Sequence, residues 1–324
     1  MDYFEMATAD GTARVSRLAL GAMLMGTRTD EETSFAILDR FVERGGTFVD
    51  TADNYAYWLT GSQGGESEQL LGRWLRSRGI GDEVVVATKV GGRPARPAAG
   101  MSKDLAGQSP DVLRESARRS LEHLGRERID LYYSHIPDPA TPVEQVVATF
   151  GELTEQGLVR AWGLSNHWVW QLERARAAGL PGGPAALQYH HSYFRARVDR
   201  PSMRSRDGHV GVVTGDHLSY LRAHPEAPLV AYSALLSGAY TRADRPLEDR
   251  YRHPGNEVRR EALERVAEET GATANQVVLS WMIGGDLPVI PLVGASSVGQ
   301  LDESLDAVDL KLTPEQRATL DEAC

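Results

Sequence analysis

Short apolar runs alternate with amphipathic stretches of helical period from Leu18 to the carboxyl terminus. This alternation is the pattern of repeated βα units around a parallel sheet. The predicted strands cover residues 18–23, 47–50, 84–89, 129–134, 159–164, 185–189, 229–232 and 288–291. Eight units with no Ser/Gly-rich linker between them predict an α/β protein built as one closed (β/α)8 barrel, with residues 1–324 as a single domain.

Local signals mark where several helices begin and end. Ser109 precedes Pro110, and residues 141–144 read Thr-Pro-Val-Glu, which predicts a helix start with a capping box. Gly157 is predicted to close that fourth helix.

Three segments fall outside the repeat. The turn Asp10-Gly11 lies between short apolar stretches at 3–4 and 13–15, which predicts a hairpin that plugs the lower end of the barrel. Helices at 273–283 and 313–322 are predicted to pack outside the barrel. Residues 91–108, 195–211 and 241–256 carry little pattern, and all three follow predicted strands, so we expect them to border one face.

Composition excludes several classes of protein. Hydrophobic residues make up 41% and charged residues 25% of the 324, which is ordinary for a folded globular chain. The formal net charge of −10 is spread along the chain, which argues against a nucleic-acid partner. The single cysteine, Cys324, allows no intrachain disulfide, which fits a reducing cytoplasm. The first ten residues do not resemble a secretory signal, and the apolar runs are strand-sized, so we expect no membrane anchor.

Ionisable side chains cluster at the ends of consecutive predicted strands. Asp50 ends the second strand and Tyr55 follows it, Lys89 ends the third, and His135 follows the fourth. Each alone has a structural explanation: a loop cap, a packed aromatic ring, a surface lysine or a buried histidine. Because reactive groups of β/α barrels lie at the carboxyl ends of strands, the four together favour an active site.

Several short motifs carry a family resemblance over essentially the whole chain. They are FVDTADNY at 48–55, ATK at 87–89, DLYYSH at 130–135, GLSN at 163–166, Gln188, AYS at 231–233 and the 294–304 region. With these motifs the chain resembles the aldo-keto reductases, and bacterial and channel-subunit members in particular. The resemblance implies a TIM barrel whose catalytic tetrad is Asp50, Tyr55, Lys89 and His135.

The chemistry of carbonyl reduction gives each member of this tetrad a role. Reduction needs a hydride at the carbonyl carbon and a proton at its oxygen, and Tyr55 is the expected general acid. Lys89 is expected to lower the pKa of the phenol, and Asp50 to keep the lysine charged. His135 is expected to donate a hydrogen bond to the carbonyl oxygen.

A nicotinamide cofactor is implied by the resemblance, although no G-x-G-x-x-G follows the first strand and a Rossmann site is not indicated. Ser165, Asn166 and Gln188 are expected to hold the carboxamide, and Tyr232 to stack on the ring. The residues expected around the pyrophosphate are Ser233, Leu235, Ser237 and Gly238.

NADP is expected in preference to NAD, although residues 294–304 contain no Lys or Arg. Positions expected around the adenosine end are Gly294, Ser296, Gln300, Glu303 and Ser304, the last in place of the usual asparagine. Positive charge for a 2′-phosphate is expected from Arg242, Arg245 or Arg250, for each of which a solvated loop residue is an equal alternative.

The substrate is expected to be a small-molecule carbonyl compound, and sugar, polyketide-like ketone and aldehyde all stay open. Trp58 and Trp168 follow site residues directly and are expected to contact it. No metal is expected, because His190-His191 lacks a nearby acid pattern and is interpreted as structural or as lining a pocket. Trp162 is interpreted as core packing.

Two rival functions stay open from sequence alone. One is a nicotinamide-binding sensing module with low turnover, against which the intact tetrad argues. The other is an unrelated barrel enzyme that uses Lys89 as a Schiff base, which the neighbouring Tyr55 and the cofactor motifs disfavour. Oligomeric state also stays open.

Overall fold

A hairpin and a closed barrel of eight parallel strands form the framework of the computed structural model, which describes residues 1–98, 100–178, 180, 183–199 and 210–323. The hairpin strands are β1 (Tyr3–Thr8) and β2 (Gly11–Ser16). The barrel strands are β3 (Ala19–Gly21), β4 (Phe48–Asp50), β5 (Val85–Val90), β6 (Leu131–Ser134), β7 (Trp162–Ser165), β8 (Ala186–His190), β9 (Leu229–Tyr232) and β10 (Val289–Val293). They pair in chain order, and β10 closes the barrel on β3, which confirms the predicted fold.

A helix follows each barrel strand, and two more lie outside the repeat. They are α1 (Glu31–Glu43), α2 (Glu66–Arg78), α3 (Pro110–Leu124), α4 (Val143–Glu155), α5 (Val169–Ala177), α6 (Gly215–Ala223), α7 (Pro254–Thr270), α8 (Ala274–Ile283), α9 (Val298–Asp306) and α10 (Pro314–Glu322). The two extra helices, α8 and α10, match the predicted ones. Among the described helices, none is both long enough and apolar enough to cross a membrane.

Helix caps show where local sequence signals held and where they failed. At α10, the Thr313 hydroxyl accepts from the backbone N–H of Gln316 and the Gln316 side chain accepts from the N–H of Thr313, so this capping box is formed. At α4 the predicted box was wrong. Pro142 is the capping position, and the Thr141 hydroxyl donates instead to Asp138 Oδ2 at 2.7 Å. The carboxylate of Asp138, three residues earlier in the same loop, competes successfully for this hydroxyl.

The hairpin covers the lower end of the barrel, as predicted. Met6, Ala13 and Val15 are buried in one apolar cluster with barrel residues such as Phe48 and Ile290. This cluster fills the barrel interior below the strand ends, so the reactive groups are confined to the opposite end.

The weakly patterned segments contain more structure than expected. Within 91–108, Pro94 and Leu105 form an antiparallel bridge, which shapes part of this loop as a small hairpin. Within 241–256, a 3₁₀ turn at Asp249–Tyr251 leads into α7, which begins at Pro254. Most of the predicted loop at 195–211 lies outside the described residues, which omit 200–209.

Candidate active site

Lys89 is the centre of the candidate site. It lies on β5 with its side chain inside the barrel, fully buried. Its Nζ donates to Asp50 Oδ1 at 2.5 Å and to the Tyr55 hydroxyl at 2.8 Å. A third donation goes to the backbone carbonyl of Thr51 at 2.6 Å. Three acceptors for three ammonium protons fix the side chain completely.

The loop after β4 brings Tyr55 back over its own strand. The N–H of Asp53 donates to the carbonyl of Lys89 at 3.1 Å, which ties the loop to β5. Ala56 has a φ of 65°, in the left-handed region, and so reverses the chain directly after the tyrosine. The Tyr55 hydroxyl consequently lies 3.3 Å from Asp50 Oδ1 as well as beside Lys89.

His135 completes the predicted group of four. It follows β6, and its backbone N–H donates to the carbonyl of Val90 at 2.9 Å. The imidazole meets the Tyr55 ring edge-on, with centroids 5.9 Å apart and planes at 80°. The structure therefore gathers all four residues that the sequence singled out around one point at the carboxyl end of the barrel.

Burial dominates the electrostatics of the pair formed by Lys89 and Tyr55. Burial raises the pKa of Tyr55 well above its ordinary value, and Asp50 raises it further. The direction is opposite to the lowering expected from Lys89, because desolvation of a phenolate in this site outweighs the attraction of the ammonium group. Burial lowers the pKa of Lys89, and Asp50 is the first of the acids that oppose this. The phenol therefore keeps its proton in the free protein.

The residues expected to hold a nicotinamide are linked to one another beside this group. Asn166 has a φ of 63°, and its Nδ2 donates to the Ser165 hydroxyl at 3.0 Å and to the carbonyl of His135 at 2.9 Å. The Tyr232 hydroxyl donates to Asn166 Oδ1 at 2.7 Å. Gln188 Nε2 donates to Asp50 Oδ2 at 2.8 Å, which leaves Gln188 Oε1 as the acceptor of that side chain.

The chain after β9 forms a concave backbone with several left-handed residues. Ser233, Leu236 and Ser237 have φ values of 55°, 48° and 58°, and Gly238 has a φ of 92°. Non-glycine residues in this region store conformational strain, which clusters at functional sites. A cavity of about 300 Å³ borders the turn and is lined also by His190, Arg245 and Arg250. Successive amides in such a turn suit an anion.

Comparison with known proteins identifies the family. A model described as the aldo/keto reductase family matches residues 17–324. The chain belongs to this family. It is 30% identical to the oxidoreductase YrpG of Bacillus subtilis (93% of this chain, 90% of that protein) and 31% identical to the norsolorinic acid reductase stcV of Emericella nidulans (94% and 76%). A solved aldo/keto reductase of Klebsiella pneumoniae, in complex with NADP and acetate, has a TM-score of 0.73 at 22% identity (98% and 94%).

Membership makes this chain an oxidoreductase, and it confirms the resemblance drawn from the motifs. The superposition on the Klebsiella enzyme supports the barrel.

Each of the three arginines expected near a 2′-phosphate faces an acid of its own loop in this aldo/keto reductase. Arg242 pairs with Asp244 at 2.6 Å, and Arg245 lies 4.0 Å from the same carboxylate. Arg250 Nε lies 3.0 Å from Glu248. Arg245 and Arg250 also line the cavity beside the strained turn. An anion bound in this cavity would have to displace the carboxylates of Asp244 and Glu248 from the arginines.

The residues after β10 differ in how they face the site. Gly294, Ser296 and Gln300 are exposed, and Gln300 Oε1 accepts from the N–H of Ser296 at 2.8 Å. Glu303 instead accepts from Thr273 at the start of α8 at 2.8 Å. Ser304 is buried, with its hydroxyl turned to the carbonyl of Gln300 at 3.4 Å. Glu303 and Ser304 are thus engaged within the protein.

The tryptophans and histidines singled out in the sequence differ in their surroundings. Trp58 is half-buried, with its ring edge-on to that of Tyr57 and the ring centroids 5.3 Å apart. Trp168 is the N-cap residue of α5. Trp162 is buried near Phe150, as interpreted. His190 hydrogen-bonds to Tyr251 and His191 stacks on Trp281. Among the described residues no His, Cys, Asp and Glu cluster suits a metal ion.

A polar layer behind the tetrad was missed by the sequence analysis. Glu68 of α2 is fully buried and accepts from the Thr88 hydroxyl at 2.6 Å. The available signal was its spacing, because Glu68 shares a helix face with Leu71 and Leu75. An acid on an apolar face of a helix marks a buried polar contact.

Proposed function

We propose that this aldo/keto reductase reduces an aldehyde or ketone to an alcohol with NADPH. The observation that carries the proposal is the placement of the fully buried Lys89 Nζ, 2.5 Å from Asp50 and 2.8 Å from the Tyr55 hydroxyl. A buried ammonium group beside a phenol is suited to proton transfer at that phenol and has little structural value otherwise.

Each side chain has a step in this reaction. The nicotinamide, when bound, supplies the hydride for the carbonyl carbon. Tyr55 gives its proton to the carbonyl oxygen, and its raised pKa ensures that the proton is present at neutral pH. Lys89 stabilises the phenolate that forms, held in place by Asp50 and the carbonyl of Thr51. His135, edge-on to Tyr55, orients the carbonyl oxygen by a hydrogen bond.

The donor set fits a nicotinamide dinucleotide. Ser165 offers a hydroxyl donor, Asn166 a further lone pair on Oδ1, and Gln188 its second amide N–H and its Oε1, which together complement a carboxamide. The strained turn 233–238 and its cavity offer amides for a pyrophosphate. Arg245 and Arg250 also line that cavity and supply positive charge for the 2′-phosphate, which distinguishes NADP, the cofactor found in the Klebsiella enzyme, from NAD.

The proposed substrate is a small-molecule carbonyl compound that enters past Trp58 and Trp168. We place the reaction in the cytoplasm, because a single cysteine fits a reducing compartment. We expect neither nucleic acid nor membrane as partner, because the net charge is acidic and the apolar runs are strand-sized. The relative named norsolorinic acid reductase makes norsolorinic acid one of the first compounds to try.

The test is a direct assay of the purified protein. NADPH and NADH are titrated by quenching of protein fluorescence, and oxidation of NADPH is followed with 4-nitrobenzaldehyde and a set of aryl ketones. We expect binding and turnover. Tight NADPH binding without turnover of any carbonyl would favour the sensing module, and absence of binding would overturn the proposal.

A further inference from the structure

Two buried carboxyl groups lie behind the tetrad, outside the barrel wall. Asp53 is in the loop between Asp50 and Tyr55, and Glu68 is in α2. Their residues are 1% and 0% exposed. Two acids this deeply buried beside a reactive lysine need a physical explanation, because burying a carboxylate costs free energy unless the charge is paired and hydrogen-bonded.

Glu68 is positioned by contacts that keep its charge behind β5. Its Oε1 accepts from the Thr88 hydroxyl at 2.6 Å, and its Oε2 lies 3.0 Å from His123 Nδ1 on α3. Thr88 and Lys89 are neighbours on β5, so their side chains point to opposite faces of the strand. The carboxylate of Glu68 and the ammonium group of Lys89 thus lie on opposite faces of β5.

Asp53 is less well satisfied than Glu68. Neither of its carboxyl oxygens makes a hydrogen bond of good geometry with a described residue, although Ser116 and Arg119 of α3 face it. The nearest guanidinium, that of Arg119, is 3.8 Å away. Burial, and then repulsion from Glu68, raises the pKa of Asp53 to about 7. Its charge therefore changes in the neutral range.

The charged and titratable groups around this layer come from every neighbouring element. They are Asp50 and Tyr55 on the barrel side, Glu68 of α2, Arg119 and His123 of α3, Arg93 of the loop after β5, and Tyr132 and Tyr133 of β6. Arg93 donates to the backbone carbonyl of Asp53 at 3.3 Å, so its contact is with the main chain. Glu68 and Asp53 both favour the charged form of Lys89.

We propose that Glu68 and Asp53 are positioning residues whose buried carboxyl groups, behind the Lys89–Tyr55 pair, keep that pair protonated. The proposal rests on the proposed reductase function. Negative charge behind the pair opposes loss of a proton from either member, so it raises the pH at which the pair as a whole ionises. For charges roughly 10 Å apart in a partly polar interior, one charge shifts that ionisation by about one pH unit.

Three variants measured across pH test this. Glu68→Gln keeps the volume and the acceptor for Thr88, Asp53→Asn is nearly isosteric, and Glu122→Gln removes an exposed acid from the same helix as His123 as control. The readout is kcat/KM for carbonyl reduction and for alcohol oxidation against pH.

We expect Glu68→Gln to move the high-pH fall of reduction and the rise of oxidation down by about one pH unit. Asp53→Asn should leave the rate of reduction unchanged at pH values below about 7, where Asp53 of the wild type is protonated. Above that pH, the high-pH fall of reduction and the rise of oxidation should both move to lower pH. Glu122→Gln should match wild type. Limbs that stay at the wild-type pH in Glu68→Gln and Asp53→Asn would overturn the inference while leaving the reductase function intact.

A second measurement needs no turnover. Coupling is reciprocal, so if Asp53 favours the charge on Lys89, that charge lowers the pKa of Asp53. The carboxyl band of Asp53, isolated by infrared difference between wild type and Asp53→Asn, should titrate at higher pH in a Lys89→Met background. An unchanged midpoint would contradict the coupling, even if no carbonyl substrate were turned over.

Discussion

Gln188 donates from Nε2 to Asp50 Oδ2 at 2.8 Å, and so joins the expected cofactor contacts to the tetrad. Asp50 uses its other oxygen for Lys89. The buried carboxylate of Asp50 therefore accepts hydrogen bonds both from Lys89 of the tetrad and from Gln188, which is expected to hold the nicotinamide. Loss of the Gln188 amide should affect both the tetrad and cofactor binding.

We expect Gln188→Met to destabilise the protein and weaken cofactor binding together. Methionine keeps the volume but leaves Asp50 Oδ2 without its donor, and an unsatisfied buried acceptor costs about 1–3 kcal/mol. Chemical denaturation gives the stability change and fluorescence titration the affinity. A variant with wild-type stability and wild-type NADPH affinity would show that the shared hydrogen bond carries no free energy.

Tyr55→Phe should keep NADPH binding and lose most carbonyl reduction, by about 10²- to 10⁴-fold, because the general acid is removed. Tyr57→Phe is the matched control, since it removes a phenol hydroxyl two residues away that accepts from the N–H of Ser102. Steady-state kinetics on both variants decide the matter. Undiminished kcat in Tyr55→Phe would exclude this tyrosine as the acid.

Lys89→Met should damage catalysis at least as severely as Tyr55→Phe. The methionine preserves much of the stem volume, so the loss is that of the charge which stabilises the phenolate, while Asp50 is left to repel it. Alcohol oxidation, which needs the phenolate as base, should fall more steeply toward neutral pH than reduction does. Near-normal rates in both directions from about pH 6 to 9 would refute lysine assistance.

Cofactor preference is expected to depend on Arg245 and Arg250, which line the cavity beside the strained turn. Replacing the one that contacts the 2′-phosphate by Gln should weaken NADPH binding by about 1.5 to 3 kcal/mol and barely change NADH. Arg242→Gln is the control, because Arg242 lies in the same loop but is not among the residues that line the cavity. Equal dissociation constants for NADPH and NADH in wild type would contradict the preference itself.

The stability of the protein should fall as the pH rises from about 4 to about 7, because of Asp53. Its pKa is raised from 3.8 to about 7 by burial. Between these values the folded state holds a proton that the unfolded state has lost, so unfolding free energy decreases with pH by a few kcal/mol in total. Asp53→Asn should flatten this dependence in urea titrations at several pH values. An identical slope in both proteins would show that Asp53 ionises normally.

Much of this molecule follows from patterns within single segments. The alternation of apolar runs and amphipathic stretches was enough to predict the barrel, because each βα unit has its own period and the units pair in chain order. Since parallel strands end on one face, the positions of Asp50, Lys89 and His135 along the chain were enough to predict that they meet.

Other features depend on contacts between distant segments, and these the tertiary structure decided. The pKa of Tyr55 is raised where a lowering was expected, since the depth of burial outweighs its partner lysine. Asp53 and Glu68 are an unremarkable pair of acids in the sequence. Only the packing of α2 and α3 on β5 removes them from water, and desolvation is a property of the whole fold rather than of any segment.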